Sequence, residues 1–403
     1  MQSASLDLKR TNRSFMLLEA TFFSIMFLTD GFFAEILSMF GYSDSFIGIV
    51  LMAMGIACVI FQPLFGYFCD KYRNYRALFF CVYGFMAVTM PLFFYFHDSK
   101  LFIMLYSVIT LASSKALFTV LDSWISKIQK EVIGVDYGKL RSFGSISFAV
   151  AAFALSQVMM KFGNQSSVWL FWIIFSVMTY ALYILPNPSR FETEKNVSIK
   201  SASKILFKNR NYVVFLICSL LVSFPHVAVL LFSSRLISSL GGDVGDIGFA
   251  NFIMAASEFF VILNFTKIAN KLGTELTLGL GMLGTAIKAV LLGLCPTAGF
   301  AMLALLSQTF SYALLIPGAV RFIGEQVPRS YIASAMVMYQ TLCQSLAQII
   351  GSPFYGALAE KFSVGTMLLI MSISGFFGSI GFIFYCRSPL FIKSLSDPEA
   401  DFV

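Results

Sequence analysis

Apolar residues run along this chain in long blocks separated by short polar connections. The blocks cover residues 14–40, 45–69, 77–96, 101–126, 140–160, 167–186, 212–240, 246–269, 275–294, 299–322, 331–358 and 365–386. Most reach about 20 residues, the length at which a helix rising 1.5 Å per residue crosses a hydrocarbon core of ~30 Å. They lack the period-2 alternation of barrel strands, and in lipid only a helix or a closed barrel satisfies every backbone group. The pattern predicts an all-α membrane protein with twelve transmembrane helices.

One connection stands apart in length and composition. Residues 187–211, NPSRFETEKNVSIKSASKILFKNRN, are polar and basic and divide the blocks six and six. The expected organisation is a six-helix bundle over 1–186, a cytoplasmic linker over 187–211, and a second six-helix bundle with a short cytoplasmic tail over 212–403. An internal repeat supports this division. Ile47-Gly48 recurs as Ile247-Gly248, Asp70-Lys71 as Asn270-Lys271, and Lys161-Phe162 as Lys361-Phe362, each pair 200 positions apart. Shared offsets at equivalent places in each half point to two pseudo-symmetric bundles.

Charge sets the orientation. With the N-terminus inside, Lys100, Lys161, Arg235 and Lys361 are the outward basic residues, Lys115 and Lys288 lie within blocks, and most of the 28 Lys and Arg fall on the inner side. Both termini are therefore expected in the cytoplasm. The same bias explains the net charge of +7 without a nucleic-acid partner. With 58% hydrophobic and only 12% charged residues, the composition excludes a water-soluble domain, whose charged fraction is roughly 25%. The seven cysteines form no CxxC pair and no metal-ligand spacing, so they read as small apolar residues with no metal or cofactor implied. The polar, basic start, MQSASLDLKRTNRSF, has no small-residue cleavage site and leads directly into the first block.

The connection after the second block reads Gly66-Tyr-Phe-Cys-Asp70-Lys71-Tyr-Arg73-Asn-Tyr-Arg76. It resembles the signature loop of the major facilitator superfamily, which implies a gating role for Gly66, Asp70, Lys71, Arg73 and Arg76. Arg73 stands where that family usually has a second Gly, and the second-half copy, Thr266 to Gly273, carries Asn270 in place of Asp. Two further stretches, Phe61-Gln-Pro-Leu-Phe-Gly66 and Tyr137-Gly138-Lys139-Leu140-Arg141-Ser-Phe-Gly144-Ser145, are similar to the oligosaccharide/proton symporter branch. That branch contains lactose and sucrose permeases, with nucleoside and phenylpropionate permeases as relatives. The resemblance implies the major facilitator fold and alternating access.

Ionisable residues within the blocks are the candidates for function, because each costs several kcal/mol in lipid unless it meets a partner or a water-filled cavity. They are Asp30 and Glu35 in the first block, Lys115 and Asp122 in the fourth, Arg141 in the fifth, His226 in the seventh, Glu258 in the eighth and Lys288 in the ninth. Lys115 and Asp122, two turns apart, share a helix face. The resemblance places the substrate-binding acid on Asp122 and its arginine partner on Arg141. It puts the ring-stacking position on Phe148, while the family's usual histidine and proton-carrying glutamate fall on Gln308 and Ser311. A proton must then ride elsewhere, on Glu258, Asp30 or Asp122.

Gln308, Gln340, Gln344 and Gln348 form a polar set on the tenth and eleventh blocks, the last three at i, i+4 and i+8. These glutamines either line the solute path or join helices. His226 follows Pro225, where a break in the seventh helix is expected. Binding candidates are thus Asp122, Arg141, Asp30, Lys115, Phe148, Glu258, His226, Gln308 and Gln344. The function expected is secondary transport in the cytoplasmic membrane: import of a sugar, nucleoside or similar small polar solute with protons, by a monomer in contact with lipid. The transmembrane proton gradient supplies the energy. Export or exchange of amphipathic or aromatic compounds is the alternative. An enzyme is not expected, since no nucleophile and base arrangement can be read.

Overall fold

The computed structural model describes residues 2–72, 74–132, 135, 137–187, 205–328 and 331–391. Arg73, the side chain of Asp70 and linker residues 188–204 lie outside the described residues. Every regular element among the described residues is helical. The first part of the chain forms α1 (Gln2–Met26), α2 (Phe33–Met39), α3 (Asp44–Tyr72), α4 (Tyr75–Tyr95), α5 (Lys100–Leu105), α6 (Ala112–Glu131), α7 (Tyr137–Phe162) and α8 (Ser166–Ile184). The second forms α9 (Arg210–Ser239), α10 (Val244–Leu272), α11 (Thr274–Gly293), α12 (Ala298–Leu305), α13 (Tyr312–Gln326), α14 (Ile332–Tyr339), α15 (Leu346–Lys361) and α16 (Val364–Cys386). Wide π-helical turns join α1 to α2 at Phe27–Gly31, α5 to α6 at Tyr106–Leu111, and α14 to α15 at Gln340–Ser345.

Eleven of the resulting helical stretches, among the described residues, are long and apolar enough to cross a membrane. The expected block at 331–358 is also helical but is not one of the eleven, since Gln340, Gln344 and Gln348 dilute its apolar character. Helix starts follow ordinary capping chemistry. Asn74 accepts from the Ala77 N–H at 3.0 Å, Asn209 from the Tyr212 N–H at 2.8 Å, and Ser363 from the Thr366 N–H at 3.0 Å, each satisfying a donor the first turn leaves open. A proline within the seventh membrane helix does not break it: α9 continues from Arg210 to Ser239 through Pro225, which corrects the expected interruption before His226. A helix interrupted by proline keeps its course where neighbouring helices re-satisfy the backbone.

The 200-residue repeat is visible in the backbone. α3 spans residues 44–72 and α10 spans 244–272, and Ile47 and Ile247 are each fully buried. Gly41 and Gly241 precede them with φ of +84° in both cases, a left-handed conformation for which glycine carries no Cβ penalty. Lys161 lies 5.7 Å from the Phe162 ring centre, and Lys361 lies 5.4 Å from that of Phe362.

The chain groups into two compact units, residues 1–192 with 242–255 and residues 193–241 with 256–403. In the first unit α1 packs along α7 and α8, and α3 along α6. Its aromatic centre is Trp124, whose ring stacks on Tyr75 at 5.5 Å and meets Phe15 edge-on at 5.6 Å, while Nε1 donates to the Pro186 carbonyl at 3.1 Å. In the second unit α9 and α11 pack against α16. Phe215 stands at its core, 5.2 Å from both Phe322 and Tyr339. Outward-facing phenylalanines such as Phe260, Phe377 and Phe384 are more than two-thirds exposed, as expected of side chains that meet lipid.

Candidate functional site

Two ion pairs stand out among the described residues in the membrane-spanning part of the first unit. Lys115 Nζ lies 3.6 Å from Asp30 Oδ2, and Arg141 Nε lies 3.7 Å from Asp122 Oδ1. Lys115 and Asp122 both belong to α6, separated along the axis by about 10 Å at 1.5 Å per residue, so one face of α6 presents both pairs. Asp30 sits in the π turn Phe27–Gly31, and Arg141 stands in the first turns of α7. All four side chains are between 22% and 30% exposed, open enough to meet a solute or water.

Arg141 is held by more than its carboxylate. Its guanidinium carbon lies 4.6 Å from the Phe23 ring centre and 4.8 Å from that of Phe118, on α1 and α6 respectively. Two aromatic rings pack against the cation, and a planar guanidinium beside a carboxylate can hydrogen-bond a polyhydroxyl or heterocyclic ligand in pairs. Phe148 meets Phe27 edge-on at 5.7 Å, and Phe27 in turn meets Phe32 at 5.1 Å, so an aromatic row lies on the same unit. Glu35, on α2, is buried.

In the second unit the expected residues meet in a chain of hydrogen bonds. The buried Lys288 Nζ donates to Gln308 Oε1 at 2.7 Å, and Gln308 Nε2 donates to Glu258 Oε2 at 3.3 Å. Gln308 thereby links the cation of α11 to the carboxylate of α10. Its place is set by a tight 3₁₀ turn, Leu306–Thr309, anchored where Thr309 Oγ1 donates to the Ser257 carbonyl at 3.0 Å. Gly284 lets α11 approach that turn, since a Cβ there would collide with the Phe310 carbonyl. His226 is buried and stacks on Tyr312 at 5.2 Å, and its Nδ1 makes no hydrogen bond among the described residues. Gln344 lies in the π turn Gln340–Ser345, partly exposed.

The signature loop is partly described. Lys71 lies over the rings of Tyr67 and Tyr72, at 5.6 and 5.3 Å, and Arg76 Nη1 donates to the Tyr183 carbonyl at 3.3 Å, near the C-terminal end of α8. A cation there complements the partial negative charge of a helix end. The second-half counterpart is a network the sequence pattern did not single out. Arg321 donates to Asn270 Oδ1 and to Glu325 Oε1, both at 2.8 Å, and Thr274 donates to Glu325 Oε1 at 2.9 Å. Glu19, a carboxylate of the first block that is not among the expected site residues, is fully buried. Its sequence signal is the one the other candidates carry, a carboxylate inside an apolar block. Among the described residues no group of three or more His, Cys, Asp or Glu is placed to hold a metal ion, and the cysteines are free thiols.

Comparison with known proteins bears on this arrangement. A sequence model described as the Major Facilitator Superfamily matches residues 15–352. The chain is 24% identical over 362 residues to a maltose permease of Geobacillus stearothermophilus, covering 87% of this chain and 90% of the relative. Among solved structures it resembles the nucleoside transporter NupG with a TM-score of 0.79 at 16% identity, covering 94% of this chain and 99% of that one. It also resembles a D-xylose-proton symporter with a TM-score of 0.70 at 17% identity, covering 93% and 96%.

Proposed function

Because this chain belongs to the Major Facilitator Superfamily and is a multi-pass membrane transporter, we propose that it imports a sugar, a nucleoside or a similar small polar solute together with protons, by alternating access. The observation that carries this reading is the Asp122–Arg141 pair, 3.7 Å apart, with the guanidinium packed against Phe23 and Phe118. Such a site offers paired acceptors and donors for hydroxyl or amide edges and flat apolar faces for a ring. The relatives' names, a maltose permease and a nucleoside transporter, agree with that chemistry. Asp30, Lys115 and Phe148 in the first unit, and Glu258, Gln308, His226 and Gln344 in the second, are the further candidate contacts for a solute.

Coupling requires a carboxylate that gains a proton on one side of the membrane and loses it on the other. Asp122 and Asp30 each face a cation, so the proposed carrier is Glu258, with Asp30 second. The twelve-helix topology, the cytoplasmic termini and linker, the gating role of the loop from Gly66 to Arg76, and a monomeric working form are parts of the same proposal.

The test is uptake into proteoliposomes of labelled maltose, other disaccharides, uridine and xanthosine, with and without an imposed pH gradient. Accumulation of one of these that rises with an inward proton gradient is the expected result. Downhill equilibration without accumulation would overturn the coupling. Efflux of aromatic dyes with no uptake of any polar solute would replace the reading by export of amphipathic compounds, which the phenylalanine-rich surroundings of Arg141 also suit.

A further inference from the structure

Glu19 is a buried acid that the proposed transport site does not use. It has no exposed surface, and neither carboxylate oxygen has a hydrogen-bond partner among the described residues. On the facing side Nη1 of Arg141 is likewise buried and unpartnered. An ionised carboxylate in that position, out of water and without donors, costs far more than the neutral acid, so the site favours the protonated form.

The local geometry brings the two groups together. Glu19 and Phe23 stand one turn apart on the same face of α1, and Arg141 and Gly144 one turn apart on the same face of α7. Glu19 reaches into the space Gly144 leaves open: a Cβ at Gly144 would sit 2.5 Å from Glu19 Oε2 and 2.7 Å from the Phe23 ring. The guanidinium of Arg141 lies 4.6 Å from that ring, and Glu19 is offset from Phe23 by about 6 Å along the axis of α1, so a change of rotamer turns the long arginine side chain from one toward the other. Arg141 from α7 and Asp122 from α6 are the charges that act on Glu19, and α8, which also packs on α1, carries no Asp, Glu, Lys, Arg or His between Ser166 and Ile184.

We propose that Glu19 is a second, protonatable partner of Arg141: it holds a proton while Arg141 faces Asp122, and releases it to water when Arg141 turns from Asp122 to the Glu19 carboxylate. The arginine then has two alternative counter-ions, and whether Asp122 is free to take a solute depends on the protonation of a residue one layer behind it. No bond other than O–H is broken, and the proton is exchanged with water. This deepens the transport reading by adding a pH-dependent control to the same site. It rests on that reading for its biological meaning, but the experiment does not need a solute.

The measurement is infrared difference spectroscopy of the purified, lipid-reconstituted protein during a pH titration, following the carboxylic acid C=O stretch. In the unmodified protein an acid band is expected, and Glu19→Gln removes it. Arg141→Gln and Asp122→Asn should displace its pH dependence in opposite senses, because one removes the alternative counter-ion of Glu19 and the other removes its competitor. Retention of the full band in Glu19→Gln, or no acid band in the unmodified protein, overturns the proposal. A band that titrates identically in all three backgrounds also overturns it, since Glu19 is then a buried acid with no tie to Arg141. Should Glu19→Gln fail to fold, the opposed shifts in Arg141→Gln and Asp122→Asn, with Glu19→Asp retaining an acid band, decide the question. A failure of solute uptake with these spectral results intact counts against the transport reading alone.

Discussion

Replacing Arg141 by lysine separates recognition from stability. Lysine keeps the positive charge near Asp122 but loses the planar fork and the flat surface lying 4.6 and 4.8 Å from the Phe23 and Phe118 ring centres. The ion pair itself contributes little to folding. Its side chains are 28% and 30% exposed, and pairs open to water contribute about 0–1 kcal/mol. The variant should therefore reach the membrane folded, with a thermal midpoint near that of the unmodified protein. Binding is another matter, because a charge-assisted hydrogen bond to a ligand contributes about 1.5–3 kcal/mol. Its loss weakens affinity roughly 10- to 150-fold. Counterflow in proteoliposomes, using whichever of labelled maltose, uridine or xanthosine the unmodified protein carries, gives the half-saturating concentration directly. An affinity within twofold of the unmodified protein, in a folded variant, would show that Arg141 acts only as a charge or as packing and refute its role in recognition.

Other perturbations address the remaining groups. Glu258→Gln should reduce the accumulation supported by one unit of pH gradient from about tenfold to none, the factor one coupled proton supplies, and accumulation equal to the unmodified protein would move the carrier to Asp30. Gln308→Leu leaves the buried Lys288 without its 2.7 Å acceptor and should destabilise the second unit by about 1–3 kcal/mol. A thiol-reactive dye reporting exposure of buried Cys218 and Cys343 on heating reads that change, and an unshifted transition would mean Lys288 finds another acceptor. Asp30→Asn leaves Lys115 facing a neutral group. It should lower the thermal midpoint more than the double variant Asp30→Asn, Lys115→Met does, and the reverse order would show that the pair at 3.6 Å is not what keeps the lysine in place.

Much of the fold could be read from the chain because the physics that sets it is one-dimensional. Lipid demands unbroken apolar helices, so the block lengths anticipate α3, α4, α8 and α16 closely, and the 200-residue offset reappears in the matched bounds of α3 and α10. The partnership of Asp122 with Arg141 was implied by the resemblance, and the structure places the two 3.7 Å apart, while Asp30 and Lys115, both expected among the buried charges, lie 3.6 Å apart. What could not be read was tertiary. That α9 continues through Pro225 is set by its packing, where Gly375 leaves room for the proline ring, to which a Cβ there would come within 2.9 Å. The link from Lys288 to Glu258 through Gln308 depends on a 3₁₀ turn that no periodicity signals. Glu19 carried the same signal as the other candidates, a carboxylate inside an apolar block, but that it is fully buried beside Gly144 is a tertiary fact.

The π turns at Phe27–Gly31, Tyr106–Leu111 and Gln340–Ser345 bear on how such chains vary in length over evolution. A π turn closes its hydrogen bond one residue later than an α turn, so it stores one extra residue within an otherwise helical stretch. Removing that residue restores α geometry and leaves the helix on either side in its original register. A deletion anywhere else in a membrane helix would rotate everything beyond it by about 100° around the axis, carrying polar side chains into lipid. Single-residue gaps between this chain and its relatives should accordingly gather inside three helical stretches, at those turns, as well as in the connecting loops.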